Sequence, residues 1–413
     1  MAIAGIRYNS DDTMPPTRKA QLLACLLPAF VVAWGGLLSY HTIVGVPDQD
    51  VTEYWQKSML LLHGRVPYRD FVLEYPILAL IPMLLPHLLT LGHAATFPAY
   101  AAAFLTENIL LAAALGATLA RIATGLKPDT VEAPTAISTV AKNYAIMLAC
   151  TAVVAPWRFD LFVALTTALA ILAINRQKDA ATGTLLAVGA MAKLYPAVLL
   201  PAVLRISGKR LALMATFAAT AAAIAIVAAL ISGPKQSISF LSYHALRGIQ
   251  IESVAAGFIY LTNKLHLTSL SLVYNFGAYH LAFPASSIVI KLLTAALVIL
   301  LSFAVLTIAR SPQSDAVDFI PRAGTLLLLA FIVTSKVFSV QYTIWLIPFA
   351  VFLKDKSPEK RCLMTLFALT AAEMIAYAGL THFDLTSIVI LNARNVTAIV
   401  CYVVLAASLR RPV

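Results

Sequence analysis

The chain has 413 residues, of which 60% are hydrophobic and only 12% are charged. Soluble domains carry roughly 25% charged residues, so this composition excludes a set of ordinary soluble domains. The formal net charge is +11, but the basic residues lie in short segments between apolar runs rather than in one patch. That distribution follows the positive-inside rule of membrane proteins and argues against a nucleic-acid partner.

Apolar runs of about 20 residues, enough to cross the hydrocarbon core, recur along the chain. They predict an all-α integral membrane protein: one polytopic helical bundle over residues 1–413, with about 12 membrane-spanning helices. The first run is too long for a cleaved signal peptide and is interpreted as a retained helix. The clearest runs are 20–44, 98–120, 210–232, 286–309, 361–380 and 386–408.

The basic residues also predict an orientation. Placing both termini and alternate loops in the cytoplasm puts 19 of the 30 basic residues there. The two long polar segments, 45–97 and 233–285, then lie outside. This assignment requires residues 76–92, PILALIPMLLPHLLTLG, to enter the outer leaflet without crossing, which the prolines in that segment favour. The same argument applies to residues 254–285.

No cofactor is expected and no metal site is assigned; a metal near the paired aspartates remains open, although two carboxylates alone do not supply six or more oxygen ligands. The four cysteines lie in apolar segments at unrelated spacings, which indicates small packing residues. A GxxxxGK phosphate loop is absent from the sequence. The intramembrane carboxyls of Glu107 and Glu373 are interpreted as neutral or paired packing groups.

The stretch 46–76, VPDQDVTEYWQKSMLLLHGRVPYRDFVLEYP, concentrates carboxylates at a membrane boundary. Apolar residues recur at helical spacing over 50–63, which predicts a helix lying in the interface with its apolar face down. Asp48 or Asp50 is suited to cap this helix, and Glu53 completes a capping box after Asp50. Capping explains one carboxylate and leaves the second polar cluster, YRDFVLEYP, unexplained.

An aspartate before Tyr54, followed by HGRVPYRDFVLEYP, resembles the first extracytoplasmic loop of the GT-C membrane glycosyltransferases. The resemblance is closest to the polyprenol-phosphate-mannose-dependent mannosyltransferases, which include the mycobacterial phosphatidylinositol-mannoside enzymes. Further matching motifs are RFDLFVAL at 158–165, KLYPAVLLP at 193–201, YHALRGIQIESV at 243–254, KVFSVQYTIWLIPF at 336–349 and ARNV at 393–396. The resemblance implies a GT-C fold and direct, inverting sugar transfer from a polyprenyl-phosphate donor outside the cytoplasm.

The resemblance places the general base on Asp50, with Asp48 as the second candidate. Sugar transfer needs a base for the acceptor hydroxyl and cations for the departing phosphate. Ion pairs that only shape the loop remain an alternative for Asp70, and a local salt bridge remains one for Arg158 with Asp160. The residues interpreted as loop-shaping or substrate-binding are Tyr54, Arg69, Asp70, Glu74, Tyr75, Arg158 and Asp160.

A second set of residues is interpreted as contacts to the donor phosphate or sugar. An ionised lysine at membrane depth costs about 2.5–3.5 kcal/mol, so Lys193 needs an anionic partner; a donor phosphate is preferred to snorkelling. Helical spacing places Arg247 and Gln250 on one face, three residues apart. A structural role remains open for His244. The set comprises Lys193, Tyr195, His244, Arg247, Gln250, Glu252, Lys336, Gln341 and Arg394, the last of which lies well inside the final apolar run.

The sequence therefore predicts a hexosyltransferase of the inner (plasma) membrane, with mannose as the first candidate sugar and an extracytoplasmic active site. Its partners would be the polyprenyl-phosphate sugar, a lipid-linked or glycan acceptor, and membrane lipids. Two alternatives remain open. A lipid or solute transporter or flippase would place binding residues on broken helices in two related halves. A polymerase or ligase would use an undecaprenyl-diphosphate donor.

Overall fold

The structure is a computed structural model that describes residues 14–45, 50–92, 95–126, 132–312 and 316–411. These residues form a nearly all-helical bundle, as the apolar runs predict. The physical reason is that a bilayer offers no water to backbone amides, so each apolar segment must satisfy its own hydrogen bonds as a helix.

Seven helices of the described part are long and apolar enough to cross a membrane: α1, α4, α9, α12, α13, α15 and α16. The protein is therefore a multi-pass membrane protein. In chain order, the helices of the described residues are α1 (Pro16–Gly45), α2 (Asp50–Leu62), α3 (Leu80–Leu89), α4 (Phe97–Leu126), α5 (Ala133–Ala149), α6 (Asp160–Asn175), α7 (Asp179–Ala190), α8 (Leu200–Ile206), α9 (Arg210–Ser232), α10 (Ser239–Leu246), α11 (Val254–Lys264), α12 (Ser286–Ala309), α13 (Ala316–Thr334), α14 (Ile347–Ala350), α15 (Pro358–Thr381) and α16 (Leu385–Leu409). Short 3₁₀ segments cover Ile77–Ala79, Ala155–Trp157, Tyr195–Leu199, Gln236–Ile238 and Val340–Leu346.

The other apolar segments are shorter than the predicted spans. Helices α5 and α6 have 17 and 16 residues, so each is about 25 Å long at about 1.5 Å per residue. Two further segments consist of a 3₁₀ turn followed by a short α-helix: Tyr195–Leu199 with α8, and Val340–Leu346 with α14. Each contains a proline near the start of its α-helix, where the missing amide hydrogen is tolerated.

Close helix contacts form the core of the bundle. Helix α1 packs along α4 and α5, and α15 packs along α16. Two glycines allow the close approach of α1 to its neighbours. A Cβ atom at Gly116 would lie 1.8 Å from the carbonyl oxygen of Ala24, and a Cβ atom at Gly35 would lie 2.0 Å from the carbonyl oxygen of Ala152. Small residues of this kind let membrane helices approach backbone to backbone.

The segment predicted to enter the membrane without crossing is short. The 3₁₀ turn and α3 together cover Ile77–Leu89, about 20 Å of helix against a hydrocarbon core of about 30 Å. Helix α3 packs on α2 and α4, and the Tyr100 hydroxyl donates to the Met83 carbonyl oxygen over 2.8 Å. The length of this segment agrees with the predicted topology.

Helix α2 matches the predicted interfacial helix in its bounds but differs in its packing. Its buried residues, Val51, Tyr54 and Ser58, face α3 and α4 rather than lipid. The Ser58 hydroxyl and the His87 Nε2 atom lie 2.9 Å apart. Neighbouring protein segments therefore cover the apolar face of this helix.

The region after α9 adds one small sheet to the otherwise helical bundle. Strands β1 (Ile249–Gln250), β2 (Ser271–Asn275) and β3 (Ala278–Ala282) pair antiparallel in the order β1-β3-β2. Residues 254–285, predicted only to dip into the membrane, thus form α11 and a β-hairpin. At the hairpin turn, Phe276 and Gly277 have positive φ angles of 50° and 68°, the backbone of a type I′ turn, which favours glycine.

The side of the bundle that carries α2 and the hairpin can be distinguished from the opposite side by labelling. In a variant with all four cysteines replaced by alanine, we expect Arg65→Cys and Lys235→Cys to react with a membrane-impermeant maleimide added to intact cells. We expect Lys178→Cys and Lys356→Cys to react only after permeabilisation. All four positions are exposed. Labelling of Lys178→Cys in intact cells would contradict the orientation derived from the basic loops.

Candidate active site

A cavity of about 1210 Å³ lies where α2, the segment 243–252 and the segment 336–345 meet. The fold thus gathers residues that are nearly 300 positions apart in the sequence. Among the residues that line the cavity are twelve of the predicted site residues: Asp50, Glu74, Tyr75, Arg158, Lys193, Tyr195, His244, Arg247, Gln250, Glu252, Lys336 and Gln341.

Asp50 is the first residue of α2, and its carboxylate forms an ion pair with the guanidinium of Arg158. The two side chains are 28% and 22% exposed. Arg158 follows a 3₁₀ turn that is anchored by buried Trp157, whose indole nitrogen donates to the Ser39 hydroxyl over 2.7 Å. The ion pair with Arg158 thus holds the Asp50 carboxylate at the cavity, which both residues line.

Two more carboxylates line the same wall and share one ammonium group. The Lys57 Nζ atom lies 2.9 Å from Glu53 Oε2 and also pairs with Glu74. Because Glu53 lies one helical turn after Asp50, both face the cavity. Among the described residues, no group of three His, Cys, Asp or Glu side chains is arranged to hold a metal ion. The Lys57 bridge instead ties α2 to the turn around Glu74.

The anionic partner of Lys193 is another residue of the protein. Its Nζ atom lies 2.8 Å from Asp160 Oδ1, and Asp160 is fully buried. The same oxygen accepts a hydrogen bond from the Trp345 indole. Asp160 is thus the anionic partner of Lys193. The sequence analysis had preferred a donor phosphate for this role. It also corrects the suggested pairing of Arg158 with Asp160, because each of them pairs elsewhere.

Arg247 is the one cation of the cavity wall whose side chain makes no hydrogen bond or ion pair with the described residues. Its Nε atom is buried. Lys336 is different, because its ammonium donates to the carbonyl oxygens of Ala245 and Arg247 over 2.8 and 2.7 Å. Lys336 therefore fixes the backbone at Arg247, while the Arg247 guanidinium remains available to an anion.

The predicted helical relation between Arg247 and Gln250 is wrong. Helix α10 ends at Leu246, and Gln250 lies in β1. The backbone N–H of Gln250 donates to the Lys336 carbonyl oxygen over 2.9 Å. The side-chain oxygen of Gln250 accepts from the backbone N–H of Phe338 over 3.0 Å. These partners, distant in sequence, replace the hydrogen bonds that a longer helix would have made.

Burial changes the charge of two titratable groups in the wall. Burial, reinforced by the charge of Arg247, lowers the pKa of His244 to about 4. Burial and the charge of Glu373 raise the pKa of Glu252. At neutral pH, His244 is therefore a neutral hydrogen-bonding group, and the protonated form of Glu252 is favoured by its surroundings.

An aromatic stack forms another part of the wall. The ring of Trp345 lies between those of Tyr195 and Tyr342, with centroid distances of 4.4 and 4.0 Å. Beside this stack, the side-chain oxygen of Gln341 is buried and has no partner among the described residues. A buried polar atom without a partner costs about 1–3 kcal/mol, so a ligand hydroxyl that reached this oxygen would be stabilised.

One side of the cavity is apolar and continues along α12. Ile290, Leu293, Thr294 and Leu297 line it at helical spacing. On another face of the same helix, Leu292 is 63% exposed. Helix α12 therefore presents one stripe to the cavity and another to the lipid.

Three predicted residues shape the structure around the cavity instead of lining it. Tyr54 is buried between the rings of Phe104 and Phe159, at centroid distances of 5.7 and 5.5 Å. Arg69 and Asp70 form a surface ion pair of 3.0 Å. The Asp70 carboxylate also accepts from the Val66 amide over 2.7 Å, which closes the turn.

The structure places Arg394 differently from the sequence-based expectation. It is fully buried, lies outside the cavity wall and pairs with Glu373 over 3.0 Å. The paired role predicted for Glu373 is confirmed by this contact. Asp48, the second candidate for the base, lies outside the described residues.

Several cavity residues were not singled out from the sequence. Glu53 lies on the polar face of the predicted helix, and that face was the available signal; Lys57, on the same face, pairs with Glu53 but does not line the cavity. Tyr342 and Trp345 lie within the quoted motif KVFSVQYTIWLIPF. The α12 stripe has helical periodicity, but a wholly apolar helix does not show which face meets a cavity. Further lining residues of this group are Tyr243, Tyr274, Phe276 and Gly277.

The fold and the cavity define a multi-pass membrane protein whose polar site combines carboxylates, a guanidinium without a partner among the described residues, and stacked aromatic rings, as in a membrane-embedded enzyme. The sequence profile of glycosyltransferase family 87 matches residues 71–335, more than half of the chain. The chain belongs to this family of membrane glycosyltransferases. It therefore uses a sugar donor and an acceptor. No curated protein and no solved structure matches the chain.

His244 predicts a pH dependence of stability. Its pKa is about 4 in the folded protein and about 6.5 in an unfolded chain, so the unfolded chain binds the extra proton between these values. The stabilisation is complete above about pH 6.5 and is lost as the pH falls towards 4. We expect His244→Gln to weaken this dependence, as measured by the melting temperature in detergent at pH 7, 6 and 5. His280, with a pKa also lowered to about 4, remains in both proteins as a shared background; equal slopes would contradict the prediction.

Proposed function

We propose that the protein transfers a hexose, with mannose as the first candidate, from a polyprenyl-phosphate sugar to an acceptor hydroxyl, with inversion at the anomeric carbon. The observation that carries the proposal is the pair of unpartnered polar groups in the cavity wall, the Arg247 guanidinium and the Gln341 side-chain oxygen. A sugar phosphate complements both, because its phosphate accepts hydrogen bonds from a guanidinium and its hydroxyls donate to a carbonyl oxygen.

Two features support a polyprenyl monophosphate as the donor. The apolar stripe of α12 continues from the polar part of the cavity, where a lipid chain attached to the phosphate would lie. The wall offers one cation without a protein partner among the described residues, Arg247, which suits the charge of a phosphodiester. An undecaprenyl diphosphate brings a further negative charge, so a diphosphate-dependent polymerase or ligase fits less well.

Asp50 has the chemistry required of the general base. In the proposed step, the acceptor hydroxyl oxygen attacks the anomeric carbon while the bond from that carbon to the phosphate oxygen breaks. The hydroxyl proton passes to Asp50, and the polyprenyl phosphate leaves with the bonding electrons beside Arg247. Arg158 keeps the carboxylate ionised and oriented for this transfer. A single displacement of this kind inverts the anomeric centre and needs no covalent intermediate.

The cellular arrangement follows from the charge of the loops. With 19 of the 30 basic residues assigned to the side that holds both termini, the positive-inside rule puts that side in the cytoplasm. We therefore place the GT-C-type active site on the extracytoplasmic face of the inner (plasma) membrane. The acceptor would be a lipid-linked or glycan molecule, and membrane lipids would surround the bundle.

The base assignment is tested by Asp50→Asn. Asparagine keeps the size of the side chain, and its side-chain oxygen can still accept a hydrogen bond from the partly exposed Arg158, so folding should persist. We expect turnover to fall by at least about 100-fold, because a general base contributes about 10²–10⁴-fold, while donor binding remains. Glu53→Gln is the matched control, since it removes a neighbouring cavity carboxylate that is paired with Lys57, and it should be milder. Normal turnover of Asp50→Asn would refute the assignment.

The donor assignment is tested with the purified protein in detergent. We expect sugar transfer from a polyprenyl-phosphate sugar and not from a nucleotide sugar. Arg247→Ala should raise the donor KM by an amount equivalent to about 1.5–3 kcal/mol, the usual value of a hydrogen bond to a charged group. Lys235→Ala, which removes an exposed cation outside the cavity wall, is the control and should leave KM unchanged. Transfer from a nucleotide sugar alone, or solute movement without a glycosylated product, would overturn the proposal.

A further inference from the structure

We infer that Arg394 is a positioning residue that holds the donor-binding wall in place from within the bundle, rather than a ligand of the donor. This inference rests on the proposed function of the cavity. Arg394 lies near the middle of α16, is fully buried and lies outside the cavity wall. It can therefore influence a ligand only through the segments it contacts.

The guanidinium of Arg394 joins three parts of the protein. Its Nη1 atom donates to Glu373 Oε2 of α15 over 3.0 Å. Its Nη2 atom donates to the carbonyl oxygen of Glu252 and, over 3.2 Å, to that of Phe338. Asn395 accepts from the same Nη2 atom over 3.0 Å. The two carbonyl oxygens belong to the two segments that supply Arg247 and Gln341 to the cavity.

Neighbouring contacts make these two segments one unit. The Asn395 side chain donates to the Ser253 carbonyl oxygen over 3.0 Å. The backbone N–H of Gln250 donates to the Lys336 carbonyl oxygen over 2.9 Å, and the backbone N–H of Phe338 donates to Gln250 Oε1 over 3.0 Å. Residues 250–253 and 336–338 are thus tied to each other and to α16. A shift of α16 would move the segments that carry Arg247 and Gln341 together.

The chemistry of arginine suits this role. A guanidinium presents five N–H groups in a rigid fork and can reach a carboxylate and two carbonyl oxygens at once, whereas a lysine ammonium is a compact point charge. Glu373 neutralises the charge in a place without water. Removing one member of such a buried pair leaves an uncompensated charge and destabilises the fold. The several hydrogen bonds of the Arg394 guanidinium, and not its charge alone, therefore determine the position of the cavity wall.

A double variant separates the position of the wall from the charge. Glu373→Leu with Arg394→Met removes both charges, and apolar replacement of a buried pair is often neutral for stability. We expect the double variant to fold with a lowered melting temperature, because the carbonyl oxygens of Glu252 and Phe338 lose their hydrogen-bond donor. The donor KM should rise by at least about tenfold, because misplacement by about 1 Å costs up to about 100-fold. Arg394→Lys, which keeps the charge and loses the fork, should raise the donor KM in the same direction.

The matched control is another Arg–Glu pair, Arg322 with Glu359, which is partly buried and lies at 3.3 Å between α13 and α15. Neither residue lines the cavity. Arg322→Met with Glu359→Leu should leave the donor KM unchanged. An equal rise in KM in this control would overturn the inference, because the effect would then be general loss of stability.

Hydrogen–deuterium exchange tests the same inference without any substrate. We expect amides in 250–253 and 336–341 to lose protection in the Glu373→Leu/Arg394→Met protein and to keep it in the control protein. Unchanged protection, or an unchanged donor KM in the folded double variant, would overturn the positioning role. A wild-type protein that does not use the polyprenyl-phosphate sugar would contradict the proposed function alone, since the exchange result would still decide the role of Arg394.

Discussion

A charge that leaves water for the interior of a membrane protein must find its counter-charge within the chain, because an unpaired ion there is strongly unfavourable. Three ion pairs in this structure meet that requirement, and each joins two different elements of the fold: Asp50 with Arg158, Asp160 with Lys193, and Glu373 with Arg394. The first two fix α2 and α6 relative to turns, and the third fixes α16 to α15. The architecture of the cavity depends on them.

The same requirement makes the exception informative. Once Lys193 is paired with Asp160 and Lys336 is bound to backbone carbonyl oxygens, Arg247 is left without a partner among the described residues. A free guanidinium in a half-enclosed wall is suited to an external anion. Because the other cations of the wall have partners, Arg247 is the position at which we expect a negatively charged ligand. The number of nearby cations alone would not have singled out this residue.

The cavity combines two long loops that have different chemistry. The first loop contributes Asp50 and its neighbouring carboxylates, and the second contributes Arg247 and the β2–β3 hairpin. The two loops meet near the hairpin turn, where a Cβ atom at Gly277 would lie 3.5 Å from Glu53 Oε1. In the inverting transfer that we propose, the acceptor and its base approach the anomeric carbon from the side opposite the leaving phosphate. Asp50 and Arg247, the proposed base and phosphate contact, come from separate loops, which is compatible with that geometry.

The sequence by itself determined the features that depend on local hydropathy: the helical bundle, the helix over Asp50–Leu62 and the short segment Ile77–Leu89. Its motifs also named twelve of the residues that line the cavity. Helical periodicity and the cost of burying a polar backbone act over a few turns, so they can be recognised in the sequence. Only the tertiary structure decided which charges pair, that Arg394 is enclosed while Arg247 is free, and that Gln250 belongs to a strand. Those outcomes depend on distances between segments that the chain brings together only when it folds. An ion pair or a strand pair has no local signature that reveals its partner.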